Sequence, residues 1–257
     1  SRSTYEGVPG ALKTLGHIVG ADRSLAAGVR SAAKVAQAGS AFLDQLGYSI
    51  HFTVEGGSSA EADNRLEQAD ACLSDRGQPI EASVPRVMRA VPFPDPTLLL
   101  ARSGKRWIPL HGIVPHSRFM PTLDALSAHL SSRAALMKQL DIEWATTMVP
   151  AGPSGILIEP NLYWPDARTP LIDSVLPGSY LSRCAVFEPN PKARAAVAEL
   201  RQELAEVFQR MGAAHFQIGR FYKYLATRQP ATRALLVALK KHLDPDGVMN
   251  PGVLGLD

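Results

Sequence analysis

The segment Gly212–Leu225 sets His215, Gln217, Arg220, Tyr222, Lys223 and Tyr224 close together around Gly219. An imidazole that titrates near neutral pH, a carboxamide, a guanidinium and two phenols are the groups that hold a hydroxyl-bearing ligand and move its proton. Chemistry is therefore expected here before anywhere else, with the tyrosines suited to polarising a hydroxyl. Each tyrosine has a bland alternative, a ring packed in apolar surroundings with its oxygen in water. Arg220 has one too, as a solvated or ion-paired side chain.

The chain must hold that segment in place, and its ending supplies part of the means. Asp244-Pro245 and Asp246-Gly247, then Asn250-Pro251-Gly252, stop a helix near His242 and force a compact, irregular finish. Upstream, apolar residues at helical spacing over 9–46, broken at Gly20-Ala21-Asp22, predict two helices. Tyr48, Ile50, Phe52 and Val54 alternate with polar residues, the period of a half-buried strand. Gly56-Gly57 then turns the chain, and Ser58 with Glu61 makes a capping box for a helix to about Leu73. Pro79, Pro85, Pro92, Pro94 and Pro96 predict edge strands or a long connection.

From Trp107 the pattern sharpens. It reads as a strand over 107–114, a helix over 120–140 and strands over 143–149 and 156–163. A helix then runs from the Asn190-Pro191 cap to about Met211, before a short strand at 215–218. The order β-α-β-β-α-β predicts an α+β protein with a ferredoxin-like antiparallel sheet flanked by helices. Trp107 and Trp144 are expected in its core, and Trp164 as the wall of a pocket.

With 257 residues and 46% hydrophobic content the chain can bury one large domain or two unequal ones. Its net charge of +3 comes from 27 basic and 24 acidic side chains, well interspersed, with no basic track for a phosphate backbone. No nucleic-acid partner is expected. Cys72 and Cys184 lack a metal-ligand spacing and read as buried, inert thiols. No apolar run reaches the roughly 20 residues of a membrane span, and the opening Ser-Arg-Ser-Thr-Tyr reads as a processed or truncated end.

The ending Leu243-Asp-Pro-Asp-Gly-Val-Met-Asn-Pro-Gly-Val-Leu-Gly255 resembles the carboxy-terminal signature of FAD-linked oxidases of the vanillyl-alcohol oxidase and p-cresol methylhydroxylase type. The stretches Arg106-Trp-Ile-Pro-Leu-His-Gly-Ile-Val-Pro-His-Ser117 and Ile158-Glu-Pro-Asn-Leu-Tyr-Trp-Pro-Asp166 extend the resemblance over most of the chain. It implies a substrate-binding cap domain over 1–211 and a carboxy-terminal segment, 212–257, that packs on a flavin-binding domain. No glycine-rich pyrophosphate loop occurs in the sequence. FAD is therefore expected to be held mainly by a domain or subunit outside this chain, which would be inactive alone.

The family's motifs carry roles onto this chain residue by residue. His215, Tyr222 and Tyr163 are implied as catalytic, and His111, Glu159, Asn161, Gln217 and Tyr224 as substrate-binding. Arg220 would stabilise reduced flavin or bind a substrate carboxylate, and Asn250 would lie against the cofactor. A covalent flavin link near His111 occurs in some members, but His111 falls one residue from the family's position, which on a strand reverses the face. Phenol-oxidising members carry a Tyr-Arg pair where this chain has His215-Phe216, so an anionic phenol would lose its bidentate cation. The 2-hydroxyacid branch binds a divalent metal through a Glu-His-Gly-Ile-Gly motif and a His-x₆-His pair. Here those places read His215-Phe-Gln-Ile-Gly219 and Ile156 with Tyr163, and no metal is expected.

The resemblance thus implies the substrate-binding portion of an FAD-dependent oxidoreductase acting on an alcohol, phenolic alcohol or hydroxyacid. Its partners would be a flavin-binding domain or subunit, a small-molecule substrate and a second copy of the chain, in the cytoplasm or periplasm. The alternatives are a non-catalytic cap-like subunit and an unrelated ferredoxin-like binding protein. The last leaves the Asp-Pro-Asp-Gly-x-x-Asn-Pro-Gly ending unexplained.

Overall fold

Ser58 starts the first helix as its spacing from Glu61 predicts. Its Oγ accepts from Glu61 N at 3.2 Å, while Glu61 Oε2 accepts from Gly57 N at 2.8 Å. The helix, α1 (Ser59–Leu73), carries no fully buried side chain. The structure, a computed structural model, describes Val29, Ala33 and residues 47–80, 82–90, 96–217 and 219–256. The chain divides into two compact units, Ser1–Ala101 and Arg102–Asp257. The boundary expected at 211/212 falls inside the second.

In the first unit the alternating stretch 48–54 forms no strand, contrary to its pattern. Tyr48 and Ile50 are exposed, and a period of two makes a strand only where a partner edge takes up its backbone groups. The proline-rich stretch also differs from expectation. It holds a helix, α2 (Ser83–Ala90), with Pro85 in the first turn, where the helix needs no N–H from it. Pro96–Leu99 add a single 3-10 turn. The two helices expected over 9–46 lie outside the described residues, apart from Val29 and Ala33, which are helical.

The second unit is α+β, built on a four-stranded antiparallel sheet. The strands are β1 (Arg106–Pro109), β2 (Gly112–Pro115), β3 (Glu143–Pro150) and β4 (Gly155–Trp164). β1 and β2 follow one another along one side of β4, and β3 pairs along its other side. The single strand expected over 107–114 is therefore cut at Leu110-His111. Pro109 faces Asn161 and Gly112 faces Ile158, so the register continues across the cut and sets Leu110 opposite Pro160 and His111 opposite Glu159. Leu110 N donates to Pro160 O at 3.0 Å, but Pro160 has no N–H to return the bond, and the ladder breaks there.

Alternation along the sheet sends Leu110, Val114, Ile158, Leu162 and Trp164 into one core. Against them pack α3 (His116–Ser132) and α4 (Ala134–Gln139). After the short α5 (Pro170–Val175) and α6 (Gly178–Leu181), α7 (Pro191–Arg210) completes the layer. It begins as its sequence predicts, with Asn190 Oδ1 accepting from Ala193 N at 3.0 Å and Pro191 in the first helical position. Val197, Leu200, Leu204, Val207 and Phe208 form its buried stripe. The single helix expected over 120–140 starts earlier, at His116, and is interrupted at Arg133, whose backbone leaves the helical region.

Two tryptophans exchange the places expected of them. Trp164 is 3% exposed and faces the core, whereas Trp144, on the edge strand β3, is 42% exposed. Cys72 is exposed rather than buried, and Cys184 is buried. The core tolerates little added volume where sheet and helix meet: a Cβ on Gly112 would stand 2.3 Å from Phe208 Cδ1. Gly112→Ala is expected to cost about 1–3 kcal/mol by overpacking, read as a lower urea midpoint at unchanged slope.

A buried carboxylate joins these elements. Asp166, with no exposed surface, accepts from Arg106 Nη1 at 3.0 Å and from Arg194 Nε and Nη2, each at 2.9 Å. Asn190 N and Ala167 N donate to it at 2.9 Å, and the Trp164 indole at 3.3 Å. It thereby fixes β1, the end of β4 and the first turn of α7 to one another.

Candidate functional site

Of the strand expected at 215–218, the described residues 215–217 form none. Ala214 alone bridges to Ile113, with N–O distances of 2.8 and 2.9 Å. Along the same edge, the backbone of His111 is met by side chains instead. His111 N donates to Tyr222 Oη at 3.1 Å, and His215 Nδ1 donates to His111 O at 2.7 Å. An imidazole and a phenol thus satisfy the backbone groups that a neighbouring strand would have paired.

The hydrogen-bond pattern assigns the protons. Phe216 N donates to His111 Nε2 at 3.3 Å, so the ring hydrogen of the neutral His111 imidazole lies on Nδ1, 2.8 Å from Tyr222 Oη. Tyr222 Oη therefore receives two hydrogens from His111 and keeps its own to donate elsewhere. His215, with Nδ1–H given to His111 O, carries its lone pair on Nε2. The rings lock together: Phe216 stacks on His111 at 3.9 Å and His215 on Tyr222 at 4.3 Å.

Burial, with the nearby His215, pushes the pKa of His111 down to about 4. Burial also lowers that of His215, against the bond to His111 O and with the help of Arg228. Both imidazoles are thus neutral at pH 7. The Tyr222 phenol is pushed up by burial, while the His111 N–H and Arg201 pull it down and Glu159 adds to the rise.

Three further residues singled out by the sequence share one sheet face with His111. Glu159, Asn161 and Tyr163 alternate with the core-facing Ile158, Leu162 and Trp164, and His111 joins them through its register opposite Glu159. Asn161 is buried and its Nδ2 donates to Glu159 O at 3.0 Å. Burial, and then the Glu159 charge, raises the pKa of Tyr163. Ala145 and Thr147 of β3, which pair with Asn161 and Glu159, are themselves exposed.

The remaining predicted residues lie apart from this group. Gln217 and Arg220 are exposed. Tyr224 carries the Arg228 guanidinium over its ring at 4.7 Å. Asn250 is exposed in the tail at a left-handed φ of 47°. That tail follows α8 (Pro230–Leu243) and meets the 212–225 segment at Gly219. Asp244 accepts from Lys240 and, at 3.0 Å, from the N–H groups of Val248 and Met249; Leu254 N then donates to Gly219 O at 2.9 Å. The Asp-Pro-Asp-Gly ending is thus a clip on the 212–225 segment. Phe216, which sequence reasoning takes only as a departure from a phenol-binding pair, covers the His111 ring.

No family model, curated protein or solved structure matches the chain. What the site can do therefore rests on its donors, acceptors and space. Among the described residues, no group of three or more His, Cys, Asp or Glu is placed to hold a metal, and no helix is long and apolar enough to cross a membrane. A groove of about 240 Å³ runs beside the site between Gln209, Gly212–Ala214 and Ala226–Arg228. That is below the roughly 300–1,000 Å³ typical of ligand pockets and too small for a dinucleotide. The polar groups fit a hydroxyl.

The proton assignment has a direct check. A ¹⁵N NMR titration is expected to show His111 neutral with its hydrogen on Nδ1 until about pH 4. Its folded pKa lies below the unfolded value of about 6.5, so its contribution to stability is complete above that value and is lost as pH falls toward the folded one. Tyr222→Phe, which removes the oxygen that accepts both His111 hydrogens, is expected to cost about 1–3 kcal/mol in denaturant unfolding.

Proposed function

We propose that the chain is the substrate-binding portion of an FAD-dependent oxidoreductase that oxidises an alcohol, phenolic alcohol or hydroxyacid by hydride transfer to flavin. The observation that carries this reading is a pairing of rings: among the described residues neither the Tyr222 hydroxyl hydrogen nor the His215 Nε2 lone pair is spent on a hydrogen bond, and the centroids of the two rings lie 4.3 Å apart. A substrate hydroxyl can accept from the first while it gives its proton to the second. Glu159, Asn161 and Tyr163 offer further polar contacts on the adjoining sheet face. Bound FAD would supply the hydride acceptor, while this chain positions the substrate and takes its proton. Both nitrogens of His111 are engaged within the chain, which argues against a covalent tether there.

Two features support the finer reading as a cap. The sequence of neighbours, Ala214 to β2, β2 to β4 and β4 to β3, all antiparallel with α3 and α7 in one layer, is what a ferredoxin-like arrangement requires. In addition, Leu235, Leu239 and Leu243 of α8, with Val248 and Met249, are exposed. An apolar stripe of that kind suits a segment that packs on a flavin domain outside this chain.

A second reading, a non-catalytic cap-like module, draws on the completeness of the His111 bonding, which would also serve as a latch for the 212–225 segment. The polypeptide purified from its native source discriminates. Flavin absorption bands that bleach on addition of an alcohol or hydroxyacid support the oxidoreductase. A colourless protein that takes up no added FAD and brings no flavin-bearing partner with it overturns that reading and leaves the module.

A further inference from the structure

We infer that Arg102, Arg168 and Arg183 form an oxyanion site beside α6, suited to a phosphate or carboxylate group. The three come from separate segments, and the backbone draws those of Arg102 and Arg183 together. Ala185 N donates to Arg102 O at 3.0 Å, and Gly104 lies so close to Ala185 that a Cβ would stand 2.0 Å from its carbonyl oxygen. The chain after Arg102 is thereby pressed against the chain after Arg183. Arg168 arrives from the turn between β4 and α5.

Their charges are poorly balanced. Arg168 Nε donates to Asp173 Oδ1 at 2.8 Å, which is the sole ion pair made by any of the three among the described residues. Arg183 Nε is spent on Ser179 O at 3.0 Å. Arg102 Nε and Arg168 Nη1 are buried and have no hydrogen-bond partner. All three guanidinium groups also act on one point, the Cys184 thiol, which burial pushes up and Arg168, Arg102 and Arg183 pull down. Three cations around one carboxylate repel one another, and a buried unpaired donor costs about 1–3 kcal/mol. An oxyanion relieves both, because guanidinium forks match its oxygens bidentately. The site is separate from the His111 cluster and does not depend on the function proposed for it.

Arginine Nε–H resonances of the whole chain, followed by NMR during titration with inorganic phosphate and separately with acetate, test the inference against chloride at matched ionic strength. Saturable shifts at Arg102 and Arg168 are expected with one of the oxyanions and not with chloride. Tighter phosphate binding identifies a phosphoryl ligand, and tighter acetate binding a carboxylate. Arg168→Gln should weaken binding about tenfold, which corresponds to the loss of one charge-assisted bond. Arg183→Gln, at an exposed position, gives the same reading should the buried variants fail to fold. Shifts that match those in chloride, or an affinity unchanged in Arg183→Gln and Arg168→Gln alike, would overturn the site.

Discussion

Asp166→Ala is expected to destabilise the second unit by about 3–5 kcal/mol, more than any other single change considered for the fold. The carboxylate has no exposed surface, and its removal strands Arg106 Nη1, the Arg194 fork, two backbone N–H groups and the Trp164 indole. Arg194 is about half exposed and can turn to water, but Arg106 is only 24% exposed and the Asn190 amide begins α7. Asp166→Asn keeps the shape and one acceptor oxygen and should lose less. Asp173→Ala, where the carboxylate is about half exposed and its partner Arg168 is 24% exposed, should fall within about 1 kcal/mol of the parent. Urea unfolding of the three variants measures this order, and an Asp166→Ala midpoint no lower than that of Asp173→Ala would refute the role given to Asp166.

The same carboxylate sets an acid limit. Burial alone would raise its pKa, but the Arg194 fork, the Asn190 N–H and the Trp164 indole together hold it well below the usual carboxylate range. Because the folded pKa is depressed, the stabilisation is complete above the unfolded value of about 3.9 and is lost as pH falls below it toward the folded one. Acid unfolding of Asp166→Asn should accordingly be shallower than that of the parent.

The sequence shows plainly what is local in this fold. Ser58 with Glu61 and Asn190 with Pro191 start helices through bonds that span three or four residues, so the signal and the structure sit in the same window. The alternation of β4 works likewise, since its faces follow from a period of two. What depends on a distant partner is not legible. Tyr48 to Val54 have the pattern of a strand but pair with no edge among the described residues, and the stretch from 215 has one within reach yet meets it with the side chains of His215 and Tyr222. The cut at Leu110-His111 is caused by Pro160, some fifty positions away, which no reading of the 107–114 window could reveal.

The site follows the same division. His111, Glu159, Asn161 and Tyr163 fall on one face because strand parity is readable once the register is known. That His215 and Tyr222 both meet His111 depends on a return of the chain across more than a hundred residues. Gln217 and Arg220 looked equally chemical by type and proximity, but residue type carries no direction, and both are exposed. Asp166 closes the Ile158–Asp166 stretch, but nothing local gives it a role; its weight comes from Arg106, Arg194 and the α7 terminus converging on it in space.

If the proposed oxidation is right, His215→Asn should lower kcat/KM by about 10²–10⁴-fold with little change in fold. Asparagine is the informative choice because its Nδ2–H can still donate to His111 O, where His215 Nδ1 now does at 2.7 Å. The hydrogen bond to His111 O survives, while the Nε2 lone pair is removed together with the ring that stacks on Tyr222. The pH profile separates this from a structural role. Burial lowers the His215 pKa below the ordinary value of about 6.5, so the free base predominates at neutral pH and activity should fall on an acid limb below that value as the ring is protonated. In His215→Asn that limb should vanish from the residual rate. Tyr222→Phe should keep it, because the phenol donates a hydrogen bond and does not titrate there: burial has moved its pKa up, away from neutrality. A His215→Asn enzyme that retains the parent acid limb would assign the base to another group, and Glu159, on the adjoining face, would be the next variant to measure.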